Sequence, residues 1–196
     1  MRKIKYIFPI FIALCSGSFV SANPVKVGYS YPIPSLKKGA HILFIGDSIT
    51  DMQRSRKPYG WDQNHLLGHS YVFLIAGRLG IDAVESNYTF SNRGISGITV
   101  ADLKKRWEQD AIDPKPDLLS ILIGTNDVNR GVTPQVYERD YRSILSKSRE
   151  ANPGLKLVLL DPFVLRSGKL YHQDVWQKRK TATDQMRMVV NRLAKE

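Results

Sequence analysis

Ser48 sits in the run Gly46-Asp47-Ser48-Ile49-Thr50, directly after the apolar stretch His41–Gly46. A serine just past the carboxyl end of a buried strand is a candidate nucleophile, because in open α/β sheets that edge is where ligands bind. Two further polar segments follow apolar runs in the same way: Ser91-Asn92-Arg93-Gly94-Ile95-Ser96-Gly97 and Gly124-Thr125-Asn126-Asp127. Acyl transfer needs a hydroxyl of this kind and preorganised N–H groups aimed at the oxyanion that forms on attack. Ser48 can offer its own backbone N–H, Gly94 an N–H that no side chain obstructs, and Asn126 a carboxamide donor. Each donor of this type is worth about 3 kcal/mol of transition-state stabilisation. The reaction class follows from the set, not from any single member.

These segments must be carried to one place by the elements between them. From Ala40 onward, short apolar runs alternate with amphipathic stretches. Strands are expected at His41–Gly46, Val84–Phe90, Leu118–Ile123 and Leu155–Leu160, and helices at Ser70–Leu79, Val100–Gln109, Pro134–Glu150 and Asp174–Ala194. Such alternation implies an α/β domain, a parallel sheet with helices on both faces. Thr133 reads as an N-cap with Pro134 at the first helical position, where a missing N–H costs nothing. Tyr137, Tyr141, Ile144, Leu145 and Ser148 then share one face, and Asn152-Pro153-Gly154 stops the helix. Asp174 with Gln177 resembles a capping box, and Ala182, Met186, Val189, Val190 and Leu193 form the stripe expected to be buried behind it.

GDSIT, NRGISG and GTND, in that order and at the ends of successive strands, resemble the first three sequence blocks of the GDSL or SGNH hydrolases. The resemblance spans roughly His41 to the C-terminus. It implies a flavodoxin-like three-layer sandwich with strand order 2-1-3-4, with Ser48 as nucleophile and Ser48, Gly94 and Asn126 as the oxyanion hole. The family's general base and its orienting carboxylate come from an Asp-x-x-His block on a loop after a fifth strand. No such block lies between Leu160 and Glu196, so the expectation is a domain lacking the last strand and the catalytic loop, with Leu155–Leu160 left at the sheet edge.

A serine hydroxyl is a weak nucleophile unless a base takes its proton. Of the four histidines, His172 is the candidate surrogate base, because its loop follows the fourth strand and opens on the same edge. His65 and His69 read as local hydrogen-bonding or capping residues, and His41, at the far end of the first strand, as structural. Asp47 and Asp127 are expected to fix loop geometry through backbone N–H groups. Trp61 is a candidate substrate contact, since an aromatic ring near such an edge can stack on a sugar; Arg54, Tyr59, Tyr171 and Trp176 lie near the same edge, and Trp176 has the spacing of a core residue.

The remaining composition bounds the setting. Arg2, Lys3 and Lys5, an apolar run from Tyr6 to Val20 and the small residues Ser21 and Ala22 read as a secretory signal over 1–22. Residues 23–39 read as an extended arm and 40–196 as the catalytic domain. Export to the periplasm or the extracellular space follows, with no membrane span after cleavage. The net charge is +11, of which the three signal cations account for three, leaving +8. The cations are spread along helical stretches without a zinc or RNA-binding signature, so a solvated basic surface is expected and not a nucleic-acid site. No Gly-x-Ser-x-Gly elbow, dinucleotide fingerprint, phosphate loop or tight metal-ligand spacing is present, so neither cofactor nor metal is expected. The resemblance implies a metal-free serine esterase that removes acyl groups, above all acetyl, from a carbohydrate. A non-catalytic carbohydrate-binding relic is the alternative.

Overall fold

Period-two alternation in the first strand sets the layers. β1 (His41–Gly46) sends Leu43 and Ile45 into one apolar cluster and Ile42 and Phe44 into another, so both faces of the sheet are covered. The computed structural model describes residues 35–57 and 64–196; the expected signal segment, most of the arm, and Tyr59 and Trp61 lie outside them. β1 pairs in parallel with β2 (Thr89–Asn92) and β3 (Leu118–Leu122), and β3 pairs in parallel with β4 (Lys156–Leu160). The order β2-β1-β3-β4 is the one expected for the flavodoxin-like arrangement. Phe44 lies opposite Asn92 and Gly46 opposite Leu122, so the chain after each strand emerges at one edge. β4 is hydrogen-bonded to β3 alone among the described residues.

The larger cluster lies between the sheet and three helices: α3 (Val100–Lys105), α5 (Pro134–Ala151) and α6 (Gln173–Leu193). The expected face of α5 is buried throughout, with Tyr137, Tyr141 and Ile144 fully enclosed, and Thr133 accepts the Val136 N–H as the expected cap. On the other face, α2 (Tyr71–Asp82) packs Val72 and Leu79 over Ile42 and Phe44, and Ser70 caps it by accepting the Val72 N–H. Two short helices begin at the functional edge, α1 (Ser48–Asp51) and α4 (Thr125–Asn129).

Five expectations change. Val84–Ser86 is a 3-10 turn, closed by Asn87 at φ 53°, so β2 starts only at Thr89. Asparagine tolerates the left-handed region, and this ends the apolar run as an extended segment. α3 stops at Lys105 and the chain continues as a π turn over Glu108–Ile112. α6 begins at Gln173 after His172, which gives no side-chain cap, so Asp174 lies inside the first turn and the expected capping box does not form. The capping box is instead at Thr99, whose hydroxyl accepts the Asp102 N–H while Asp102 accepts the Thr99 N–H; these bonds hold the Asp102 carboxyl at about 2. On α6, Thr183 takes the buried place expected of Ala182, its hydroxyl satisfied by the Arg179 carbonyl, and Trp176 is half-buried rather than core.

Trp107 is fully enclosed, and its indole N–H donates to Ser148 Oγ at 3.0 Å across to α5. Ser148→Ala strands that donor in an apolar interior, where an unsatisfied group costs about 1–3 kcal/mol. Denaturant unfolding is expected to show that loss. An unchanged midpoint would mean that the indole finds another acceptor.

Candidate active site

The end of β1 is built by exclusion. A Cβ on Gly46 would stand 2.2 Å from the Leu122 carbonyl oxygen, so only glycine lets β1 run this close to β3. Asp47 then caps α1: its Oδ1 accepts the Ile49 N–H at 3.0 Å, while burial pushes its carboxyl upward. The N–H groups of Thr50 and Asp51 turn back to the Asp47 carbonyl. The Ser48 N–H, at the first helical position, meets no acceptor among the described residues.

Asn92, at the end of β2, joins three segments. Its Nδ2 donates to the carbonyls of Thr50 (2.7 Å) and Leu67 (2.8 Å), and its Oδ1 accepts the Gly94 N–H at 2.8 Å. The expected oxyanion donor Gly94 therefore has its N–H already engaged, and its glycine identity has another cause: a Cβ there would lie 2.5 Å from the Asp51 backbone nitrogen. Sequence reasoning took the missing side chain as a sign of access, whereas it permits close packing.

Beyond Gly94, the loop has its carbonyls held from behind. The Gly94 oxygen accepts Arg54 Nε at 2.9 Å and Arg56 Nη1 at 3.0 Å, the Gly97 oxygen accepts Arg130 Nη2 at 2.7 Å, and the Ile98 oxygen accepts Asn126 Nδ2 at 3.0 Å. Asp51 Oδ2 receives the Ser96 N–H, the Ser96 hydroxyl and Arg56 Nη2, all at 2.8–2.9 Å. Burial pushes the Arg54 guanidinium down to about 10, with the Arg56 charge adding to that direction and Asp51 opposing it. Gly97 has φ +84° and an N–H with no acceptor among the described residues. Asn126 spends one amide hydrogen on Ile98, which fixes its rotamer and leaves the second free.

A cavity of about 660 Å³ opens at this edge, lined by Ser48, Ile49, Met52, Tyr71, Leu160 and Phe163 among others. Asp161 also lines it and was missed in the sequence, where it reads as the polar end of β4; its carboxylate accepts Asn191 Nδ2 at 3.0 Å. Tyr71 hydrogen-bonds Thr50 Oγ1 at 3.1 Å, and burial pushes its phenol up to about 12. His172 stands exposed before α6 and is not part of this lining. His41 is held at the opposite end of β1 by Ser91 Oγ and the Pro114 carbonyl, the structural place expected of it. His65 and His69 stack edge to face at 6.2 Å. Among the described residues no cluster of three or more His, Cys, Asp or Glu could hold a metal, and no helix is long and apolar enough to cross a membrane.

Parallel strands whose carboxyl ends deliver a capped serine, a pinned glycine loop and an oriented asparagine define an α/β hydrolase of the three-layer type. Residues 44–196 match the model of the GDSL-like lipase/acylhydrolase family, and the chain belongs to that family. It is a carboxylic ester hydrolase. It is 38% identical over 168 residues to an acetylxylan esterase of Geobacillus stearothermophilus, covering 81% of this chain and 73% of the relative. A solved structure of an acetylxylan esterase from that organism superposes with TM-score 0.68 at 37% identity, covering 82% of this chain and 74% of the other. A GDSL-like lipase from Parabacteroides merdae superposes with TM-score 0.74 at 36% identity, covering 82% and 75%. Solved catalytic mutants of the Geobacillus esterase replace a serine, an aspartate or a histidine by alanine.

Asp127, beside Asn126, is fully enclosed and receives the Val100 N–H on both oxygens at 3.2 Å, capping α3 from across the edge. Burial, helped by the Asp47 charge, pushes its carboxyl up to about 6 against those bonds. A raised folded value means that the native state holds its proton more tightly than the unfolded chain. The contribution of this group is thus most favourable below about pH 4, declines as pH rises to about 6, and is level above. Asp127→Asn keeps an oxygen for Val100 and removes the titration. Its stability relative to the parent is expected to climb between pH 4 and 6 in urea unfolding; parallel curves would contradict the assignment.

Proposed function

We propose that the protein removes acetyl groups from a carbohydrate outside the cytoplasm, with Ser48 as nucleophile and an oxyanion hole formed by the Ser48 N–H, the Gly97 N–H and Asn126 Nδ2. The observation that carries the reading is that the Ser48 and Gly97 N–H groups have no acceptor among the described residues and Asn126 Nδ2 keeps one hydrogen free, at an edge where the Gly94, Gly97 and Ile98 carbonyls are held by other donors. Gly97 replaces Gly94 as the backbone donor because the Gly94 N–H is bonded to Asn92. In attack, Ser48 Oγ bonds to the acyl carbon, its proton passes to a base, and the carbonyl electrons move onto oxygen. Collapse expels the sugar hydroxyl, which takes a proton, and water then cleaves the acyl serine by the reverse path. The apolar lining by Ile49, Met52 and Leu160 suits a small acyl methyl group.

The acetyl and carbohydrate parts rest on the acetylxylan esterase relative, and the site of action on the signal-like residues 1–22. In that relative an aspartate and a histidine are the positions of catalytic mutants, which supports a histidine base oriented by an aspartate for the proposed reaction. His172 remains the candidate within this chain, although it does not line the cavity with Ser48.

Acetate release from an activated acetyl ester and from an acetylated oligosaccharide tests the reading. Ser48→Ala is expected to abolish turnover. Asn126→Ala is expected to lower kcat about a hundredfold or more with little change in KM, because the donor gains strength only as the oxyanion forms. A raised KM at unchanged kcat for Asn126→Ala would overturn its role, and binding of the oligosaccharide without any turnover would favour a binding protein. Turnover lost on His172→Ala would identify the base.

A further inference from the structure

A second cavity of about 470 Å³ lies between α4, the 3-10 turn Gly168–Tyr171 and α6, lined by Val128, Asn129, Leu170, Val175, Lys178 and Arg179 among others. Its position is informative. Asn129 ends the same helix on which Asn126 sits, three residues away, about 4.5 Å along the axis at 1.5 Å per residue. A chain molecule with one unit at Ser48 and Asn126 thus has this cavity within reach of a neighbouring unit.

Its charge is equally specific. Elsewhere on α6 the cations are matched: Lys180 and Arg187 share Asp184 at 2.6 and 2.9 Å, and Arg192 pairs with Glu138. Arg130 on the α4 side is taken up by Asp102 and the Gly97 carbonyl. Lys178 and Arg179 have no carboxylate or carbonyl partner among the described residues, and Arg179 is half-buried. Asp174, one turn earlier, makes no ion pair with Lys178. Two unmatched cations in a concave site favour an anion by charge-assisted hydrogen bonds. The rest of the lining suits a sugar: Val128, Leu170 and Val175 offer apolar surface to ring C–H groups, and Asn129 offers both a donor and an acceptor to hydroxyls.

We infer that this cavity is a subsite for an anionic sugar unit, so that the preferred substrate is an acylated glycan bearing carboxylate-type residues near the ester. The inference rests on the esterase reading for the placement of the ester, but its test follows binding alone. In the full-length Ser48→Ala protein, titration with trigalacturonate and with neutral galactotriose is compared by calorimetry, with inorganic sulfate as a third probe. Trigalacturonate is expected to bind at least about tenfold more tightly than galactotriose. The gap should narrow as salt rises, and Lys178→Ala/Arg179→Ala should bring the two sugars level at an unchanged thermal midpoint. Equal affinity for both sugars in the Ser48→Ala protein, or an undiminished preference in the double variant, overturns the subsite. Sulfate binding as tightly as the trisaccharide overturns its assignment to a sugar. Failure of the esterase reading would instead appear as no acetate release by the unsubstituted protein, or as release that survives Ser48→Ala.

Discussion

The carboxamide of Asn92 is the constraint on which the functional edge depends. One side chain, almost fully buried at the end of β2, holds the Thr50 carbonyl of α1, the Leu67 carbonyl ahead of α2 and the Gly94 N–H at the start of the glycine loop. No other residue type of that size supplies two donors and an acceptor in one plane. An aspartate would set one carboxylate oxygen against the Thr50 and Leu67 carbonyls, and a leucine would leave buried peptide groups without partners, each a loss of about 1–3 kcal/mol. The arginine and aspartate contacts behind the loop are added to a geometry that Asn92 already imposes.

Much of the arrangement was legible because its signals are local. A buried strand followed by a polar, glycine-bearing segment marks the place of Ser48 and Asn126, and the periodicity of Pro134–Ala151 marks which face goes inward. Thr133 followed by Pro134 declares a helix start within two residues. What stayed hidden depends on partners far along the chain. The reason for Gly94 is the backbone of Asp51, forty-three residues earlier, and the reason for Ser148 is the indole of Trp107. Asp174 misled because a capping pattern is decided by how the chain arrives, and a 3-10 turn puts the cap position at His172, two residues earlier. Asp161 carried no pattern at all; only the fold puts it in a cavity with Ser48.

The basic composition also gains a finer reading. Pairs such as Arg78 with Asp82 and Lys180 with Asp184, one helical turn apart, are solvent-screened contacts. They bear on surface character more than on stability. On α6, where Lys180, Arg187 and Arg192 are matched, an unmatched pair of cations is informative in a way that the net charge of the whole chain is not.

Gly94 and Gly97 lie three residues apart in one loop, and neither is free to vary, but for unrelated reasons. At Gly94 the obstacle is volume, since any Cβ enters the space of the Asp51 backbone. At Gly97 nothing stands within 4 Å of a Cβ, and the obstacle is torsional, a φ of +84°. Their mutational neighbourhoods therefore differ. A lineage could pass through asparagine at 97, which tolerates the left-handed region at modest cost, whereas at 94 no side chain of any kind is admitted unless α1 moves with it. Drift in this loop should run through the second glycine and not the first.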